Sequence, residues 1–66
     1  MKLKIDREND SLYLRLDDSK IAGSEEASPG VVLDFDAQER VVGIEILKLS
    51  TRVAPADLQR VLLETA

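Results

Sequence analysis

Apolar and polar residues alternate from the start of the chain. In KLKID, Leu3 and Ile5 point one way, and Lys2, Lys4 and Asp6 the other. Strict alternation over a few residues is the period of a half-buried strand. RENDS follows, rich in residues whose side chains bond to nearby backbone, which predicts a turn. SLYLRL then alternates again, with Leu12, Leu14 and Leu16 on one face and Tyr13 and Arg15 on the other. Setting Ile5 opposite Leu12 places Leu3 opposite Leu14, and such coincidence of apolar faces is what sets register. Residues 2–16 are therefore predicted as a hairpin.

The same period returns in VVLDFDAQERVVGIEIL, residues 31–47. Val31, Leu33 and Phe35 share one face; Val32, Asp34 and Asp36 share the other. A four-residue loop, AQER, pairs Phe35 with Val42, Leu33 with Ile44 and Val31 with Ile46, stacking three apolar cross-strand pairs on one side. A slip of one residue would turn the isoleucines away, so residues 31–47 form a second hairpin. Between the hairpins, DDS predicts a turn and residues 21–27 can form a short edge strand, where charged side chains are common. SPG carries the Pro-Gly signature of a type II turn. A tight hairpin around it would set Glu25 opposite Asp34, and like charges directly opposite are destabilising. The simple register is disfavoured for that reason.

The tail changes period. Leu58, Val61, Leu62 and Thr65 recur at helical spacing, Pro55 suits a first helical turn, and Asp57 suits its positive end. A helix over 55–65 is expected, although Ala54 is a poor N-cap and about ten residues make a marginal helix without a surface to pack on. Leu63 lies off the main stripe, as an exposed leucine or as a second contact such as a dimer interface. The predicted architecture is α+β: one domain, residues 1–66, a small antiparallel β-meander of four to five strands with one C-terminal helix.

Composition narrows the chemistry. With 66 residues, a chain buries about 60% of the surface its unfolded form exposes. Disulfides, metals or a partner subunit usually supplement so small a core. There is no cysteine and no histidine, which removes disulfides, thiolate sites, the commonest general base and the commonest transition-metal ligand. Oligomerisation is the supplement left, and a homodimer is the favoured form. The net charge is −4, with the excess of acidic residues concentrated in residues 17–45. Nucleic-acid binders concentrate lysine and arginine instead, so direct binding of DNA or RNA is not expected. MKLKIDREND reaches Asp6 before any apolar run and does not read as a signal peptide. The longest apolar stretches stop far short of the roughly 20 residues of a membrane helix. No membrane association and a cytoplasmic location are the expectation.

Several carboxylates invite a catalytic or metal interpretation. Asp34, Asp36, Gln38 and Glu45 follow the spacing of a calcium loop, but its sixth position, normally glycine, is Glu39. Both flanks also have strand period, whereas that loop joins helices. Two strands and a turn account better for the segment. Acid–base catalysis wants two carboxylates across a cleft with one pKa raised by burial; residues two apart on a strand share a face and its solvent exposure. The serines lack a histidine to activate them. Gly23, Gly30 and Gly43 are isolated, and Gly43 inside a strand marks a bulge or a close backbone approach rather than a ligand site. Tyr13, the only tyrosine, is either an ordinary exposed aromatic or an interface anchor. No cofactor is implied.

The run LYLRLDDSKIAGSEEASPGVVLDFDAQERVVGIEIL resembles a small, mostly bacterial family, domain of unknown function 2283. The resemblance rests on the initial strand and its D-x-LY-like start, the S-E-E, the P-G-V, the D-[FY]-D and the V-G-I-E-I-L, and covers roughly residues 3–50. Where the family often has Gly or Asn in the second hairpin turn, this chain has Glu39, and the expected helix lies outside the shared region. The resemblance implies a compact β-rich fold and no established activity. Some relatives are encoded beside small ribonuclease-like toxins, which implies an antitoxin-like role. An acidic middle segment would complement a basic protein partner. The expectation is a non-catalytic interaction or assembly module. Its surface would comprise Glu25, Glu26, Asp34, Asp36 and Glu45, with Tyr13 as apolar anchor. The alternative is a small divalent-metal-dependent enzyme using Asp34, Asp36 and Glu45.

Overall fold

The computed structural model describes all 66 residues. Five strands form one antiparallel sheet: β1 (Lys2–Asp6), β2 (Ser11–Arg15), β3 (Gly23–Ser28), β4 (Val31–Phe35) and β5 (Val41–Leu47), in the spatial order β1-β2-β5-β4-β3. Strands β3, β4 and β5 are a meander, and the last of them returns to lie beside β2. Taken from β2 to β3, the order is that of a Greek key. The connection Leu16–Ala22 therefore passes the ends of β5 and β4. Its backbone is tied down on the way: the Leu16 N–H donates to the Val42 carbonyl at 2.8 Å and the Ala22 N–H to that of Phe35 at 2.8 Å. The Arg15 guanidinium reaches back to the carbonyls of Asp17 and Ser19.

Both hairpins form, and most of the expected pairs hold. Leu3 lies opposite Leu14 and Ile5 opposite Leu12; Leu33 lies opposite Ile44 and Val31 opposite Ile46. The exception is Phe35, which pairs with Val41 instead of Val42. A bulge between Asp34 and Phe35 leaves Val42 as the extra residue, and Val42 is buried. A second bulge, at Ala27, resolves the clash expected around Pro29-Gly30. It moves Glu25 to a place opposite Leu33 and puts Ser24 opposite Asp34. Repulsion between two carboxylates is thereby replaced by a hydroxyl facing a carboxylate. Gly30 takes a φ of 79°, the left-handed geometry that a type II turn requires at its third residue.

The C-terminal helix does not form, so the fold is an all-β sheet and not α+β. Two single 3-10 turns, Leu49–Thr51 and Pro55–Gln59, follow β5. The second ends at Arg60, whose backbone is extended. No side chain caps its start at Ala54, and a helix this short needs a docked apolar face to persist. Val61, Leu62 and Leu63 are instead 60%, 80% and 81% exposed. Leu49 does dock and is buried. Its N–H donates to the Asp10 carbonyl at 2.9 Å, while the Asp10 carboxylate accepts the Ser50 N–H at 2.9 Å and the Ser50 hydroxyl at 2.7 Å.

Residues directly opposite on neighbouring strands share a face, so the register sorts the side chains. One face carries Leu3, Ile5, Leu12, Leu14, Val31, Leu33, Ile44 and Ile46. A sheet with one apolar face normally buries it against a second layer. Here the second layer is nearly absent: five residues are buried, and Val42 and Leu49 are the only large apolar ones among them. No helix is long and apolar enough to cross a membrane.

Candidate functional site

The opposite face of the sheet is polar and ordered in rows. One row runs Glu26, Val32, Glu45, Tyr13, Lys4 across all five strands; the next runs Ser24, Asp34, Gly43, Arg15, Lys2. Gly43 lies at the middle of its row, on the central strand. Because it has no side chain, the Tyr13 ring can lie over the β5 backbone and reach β4. There the Tyr13 hydroxyl donates to Asp34 Oδ2 at 2.7 Å, and Arg15 Nη1 donates to the Tyr13 oxygen at 3.4 Å. The other carboxylate oxygen, Asp34 Oδ1, accepts from the Ser24 hydroxyl at 2.6 Å. Tyr13, Asp34 and Ser24 thus tie four adjacent strands together on one side.

These bonds decide what the carboxylate can do. The Ser24 hydroxyl and then the Tyr13 hydroxyl hold the Asp34 carboxyl below its ordinary value. The bond to Asp34, followed by burial, pushes the Tyr13 phenol up. Asp36 serves a different purpose. It is only 5% exposed and shapes the second hairpin turn, its Oδ1 accepting the backbone N–H of Gln38 and of Arg40 at 2.9 Å each, and its Oδ2 pairing with Arg40 Nε at 2.8 Å. The Arg40 N–H above all holds its carboxyl below the ordinary value, helped by the Arg40 side chain and the Gln38 N–H. A general acid near neutrality needs its pKa raised. Both aspartates are shifted the other way.

The residues expected to form one acidic surface are divided. Tyr13, Glu26, Asp34 and Glu45 share the polar face, although Asp34 is already engaged. Glu25 lies opposite Leu33, on the apolar side, at the exposed edge strand. Asp36 is withdrawn into its turn. Lys2, Lys4 and Arg15 occupy the same face as Glu26 and Glu45, so the face is acidic toward β3 and basic toward β1. Asp34, Asp36 and Glu45 do not converge as metal ligands, and no cluster of three carboxylates does so anywhere in the chain. The depressions are shallow. One of about 320 Å³ is lined by residues including Lys4, Asp6, Tyr13 and Glu45; one of about 590 Å³ lies between Phe35, Glu25 and the turn at Glu39.

Residues 2–50 match the model of the family described as Protein of unknown function (DUF2283). The chain belongs to that family. Neither a search of curated proteins nor one of solved structures finds a match. The family region covers all five strands and ends within the first 3-10 turn. The tail that departs from the expected helix lies outside it. Within it, Glu39 adopts a φ of 62°, so the turn needs a left-handed residue even though this chain supplies a glutamate there. Sequence reasoning missed Ser24 and Arg15 as partners of Asp34 and Tyr13, because only the bulge at Ala27 brings Ser24 into register. The signal that pointed correctly was Gly43, a lone glycine inside a strand.

Proposed function

We propose that this protein is a non-catalytic protein-interaction module whose working surface is the apolar face of the sheet. The observation that carries the proposal is the missing layer. Eight large aliphatic side chains stand on one face, none of them fully buried, and of the rest of the chain only the segment of Leu49, Pro55 and Leu58 comes near it, beside Ile5. The polar face has a supporting role: its Tyr13–Asp34–Ser24 bonds stiffen the sheet from behind. An acidic docking area for a basic partner, as an antitoxin-like role would need, reduces to Glu26 and Glu45, with Glu25 beside them on the edge strand. The metal-dependent enzyme is the weaker alternative, since Asp34 and Asp36 spend their lone pairs on internal donors.

Dilution tests the proposal. At nanomolar concentration an assembly dissociates, and the face should then bind an apolar fluorescent probe, or the chain should unfold. A chain that melts at the same midpoint at nanomolar and micromolar concentration, and binds no probe, is self-sufficient and overturns the proposal. A midpoint raised by Mg²⁺, Mn²⁺ or Ca²⁺ alone, and unresponsive in Asp34→Asn, would favour the enzyme.

A further inference from the structure

We infer that the occupant of the apolar face is a second copy of this chain, packed sheet on sheet. This rests on the interaction module proposed above and names its partner. Three observations support it. The first is area. The chain exposes 5258 Å², against about 4,200 Å² for a folded monomer of this mass. The tail after Arg60 and strand β3 are exposed throughout, and none of the eight aliphatic side chains of the face is fully buried. Five strands about 4.8 Å apart, five residues deep at about 3.3 Å each, give the face a footprint on the order of 400 Å². Two such faces pressed together cover about 800 Å² in projection, to which side-chain relief adds, so the pair falls at the small end of specific interfaces, which bury about 1,200–2,000 Å².

The second is charge. The centre of the face, Leu14, Leu33 and Ile44, carries none, and its one ionised neighbour, Glu25, sits on the exposed edge strand. Two copies can therefore meet without burying a charge, leaving Glu25 at the rim. A basic partner would find its complement on the other face, at Glu26 and Glu45. The third is shape. An aligned pair of twisted sheets with interdigitating aliphatic side chains is a standard solution for covering such a face, and the copy supplies the missing layer at matched width. The tail of the same chain is the competing occupant. It carries Val61, Leu62 and Leu63, yet these stand in solvent.

The chain has no cysteine, so single introduced thiols report cleanly. Light scattering of the unmodified chain at micromolar concentration should give twice the 7.3 kDa mass. With a short bismaleimide, Ile44→Cys should link into a covalent pair and Glu45→Cys, one residue along but on the polar face, should not. Should Ile44→Cys fail to fold, Leu33→Cys replaces it. Leu62→Asp should leave the dimer mass unchanged. Linking through Glu45→Cys alone, or a dimer lost in Leu62→Asp, would overturn the inference by placing the contact elsewhere. A monomer mass with the apolar probe bound would also overturn it, while leaving the interaction module standing. A monomer mass with no probe bound would overturn both.

Discussion

Replacing Gly43 by alanine isolates the contact on which the polar face depends. A Cβ at this position would fall 2.9 Å from Tyr13 Cζ and 3.0 Å from Asp34 Oδ2, and closer still to the Tyr13 hydroxyl oxygen. Backbone strain plays no part, because Gly43 is not among the residues with positive φ. The ring must swing off β5, which breaks its bond to Asp34. A hydrogen bond to a charged acceptor is worth about 1.5 kcal/mol at the low end, suited to a half-exposed site. Alanine returns about 0.5–1 kcal/mol by reducing backbone freedom. If the ring stays, overpacking costs about 1–3 kcal/mol instead. The expected net loss is about 0.5–2 kcal/mol, and each kcal/mol moves the midpoint of so small a domain by about 4–8 °C. Thermal denaturation followed by circular dichroism should then show Gly43→Ala melting roughly 2–15 °C lower. In a Tyr13→Ala background, where no ring remains to collide, the same substitution should be neutral or stabilising. An equal loss in both backgrounds would refute the close approach of Tyr13 as the reason for the glycine.

Acid should destabilise the fold in a defined window. Asp34 and Asp36 have folded pKa values below the ordinary 3.8, so their contribution is fully present above about pH 4 and is lost as pH falls through the depressed values. A urea midpoint that falls below pH 4 in the native chain, and less steeply in Asp36→Asn, is the expected outcome; a flat profile contradicts it. At the alkaline end the sign reverses: Tyr13 is raised above 10.0, so its contribution holds below pH 10 and fades as pH rises through the folded value, a dependence that Tyr13→Phe should remove. Glu39 sits at φ 62°, which costs an ordinary residue about 1 kcal/mol. Glu39→Asn should therefore raise the thermal midpoint, and a fall would show that the glutamate side chain does something at this turn beyond occupying it. Ending the chain at Arg60 should leave the midpoint unchanged, since residues 61–66 are all exposed; a clear drop would mean that they pack on the sheet.

Much of this fold can be read along the chain, because a strand's two-residue period depends on neighbouring residues alone. Alternation placed four of the five strands and set four of the five predicted apolar pairs, Leu3–Leu14, Ile5–Leu12, Leu33–Ile44 and Val31–Ile46; the edge strand β3 was marked only by its charged residues, as a possible strand over 21–27. It also exposed the conflict between Glu25 and Asp34. Composition removed thiol and imidazole chemistry outright. Three things were decided only in the folded sheet. The helical spacing of Leu58, Val61 and Leu62 is real, but period alone does not make a helix; a docking surface does, and past Leu58, half-buried near Ile5, this tail finds none. The bulges at Ala27 and Val42 depend on which residues face them from the next strand. The bond from Tyr13 to Asp34, over Gly43, exists because β5 returns to lie between β2 and β4, and strand order is a property of the whole chain that no local period encodes.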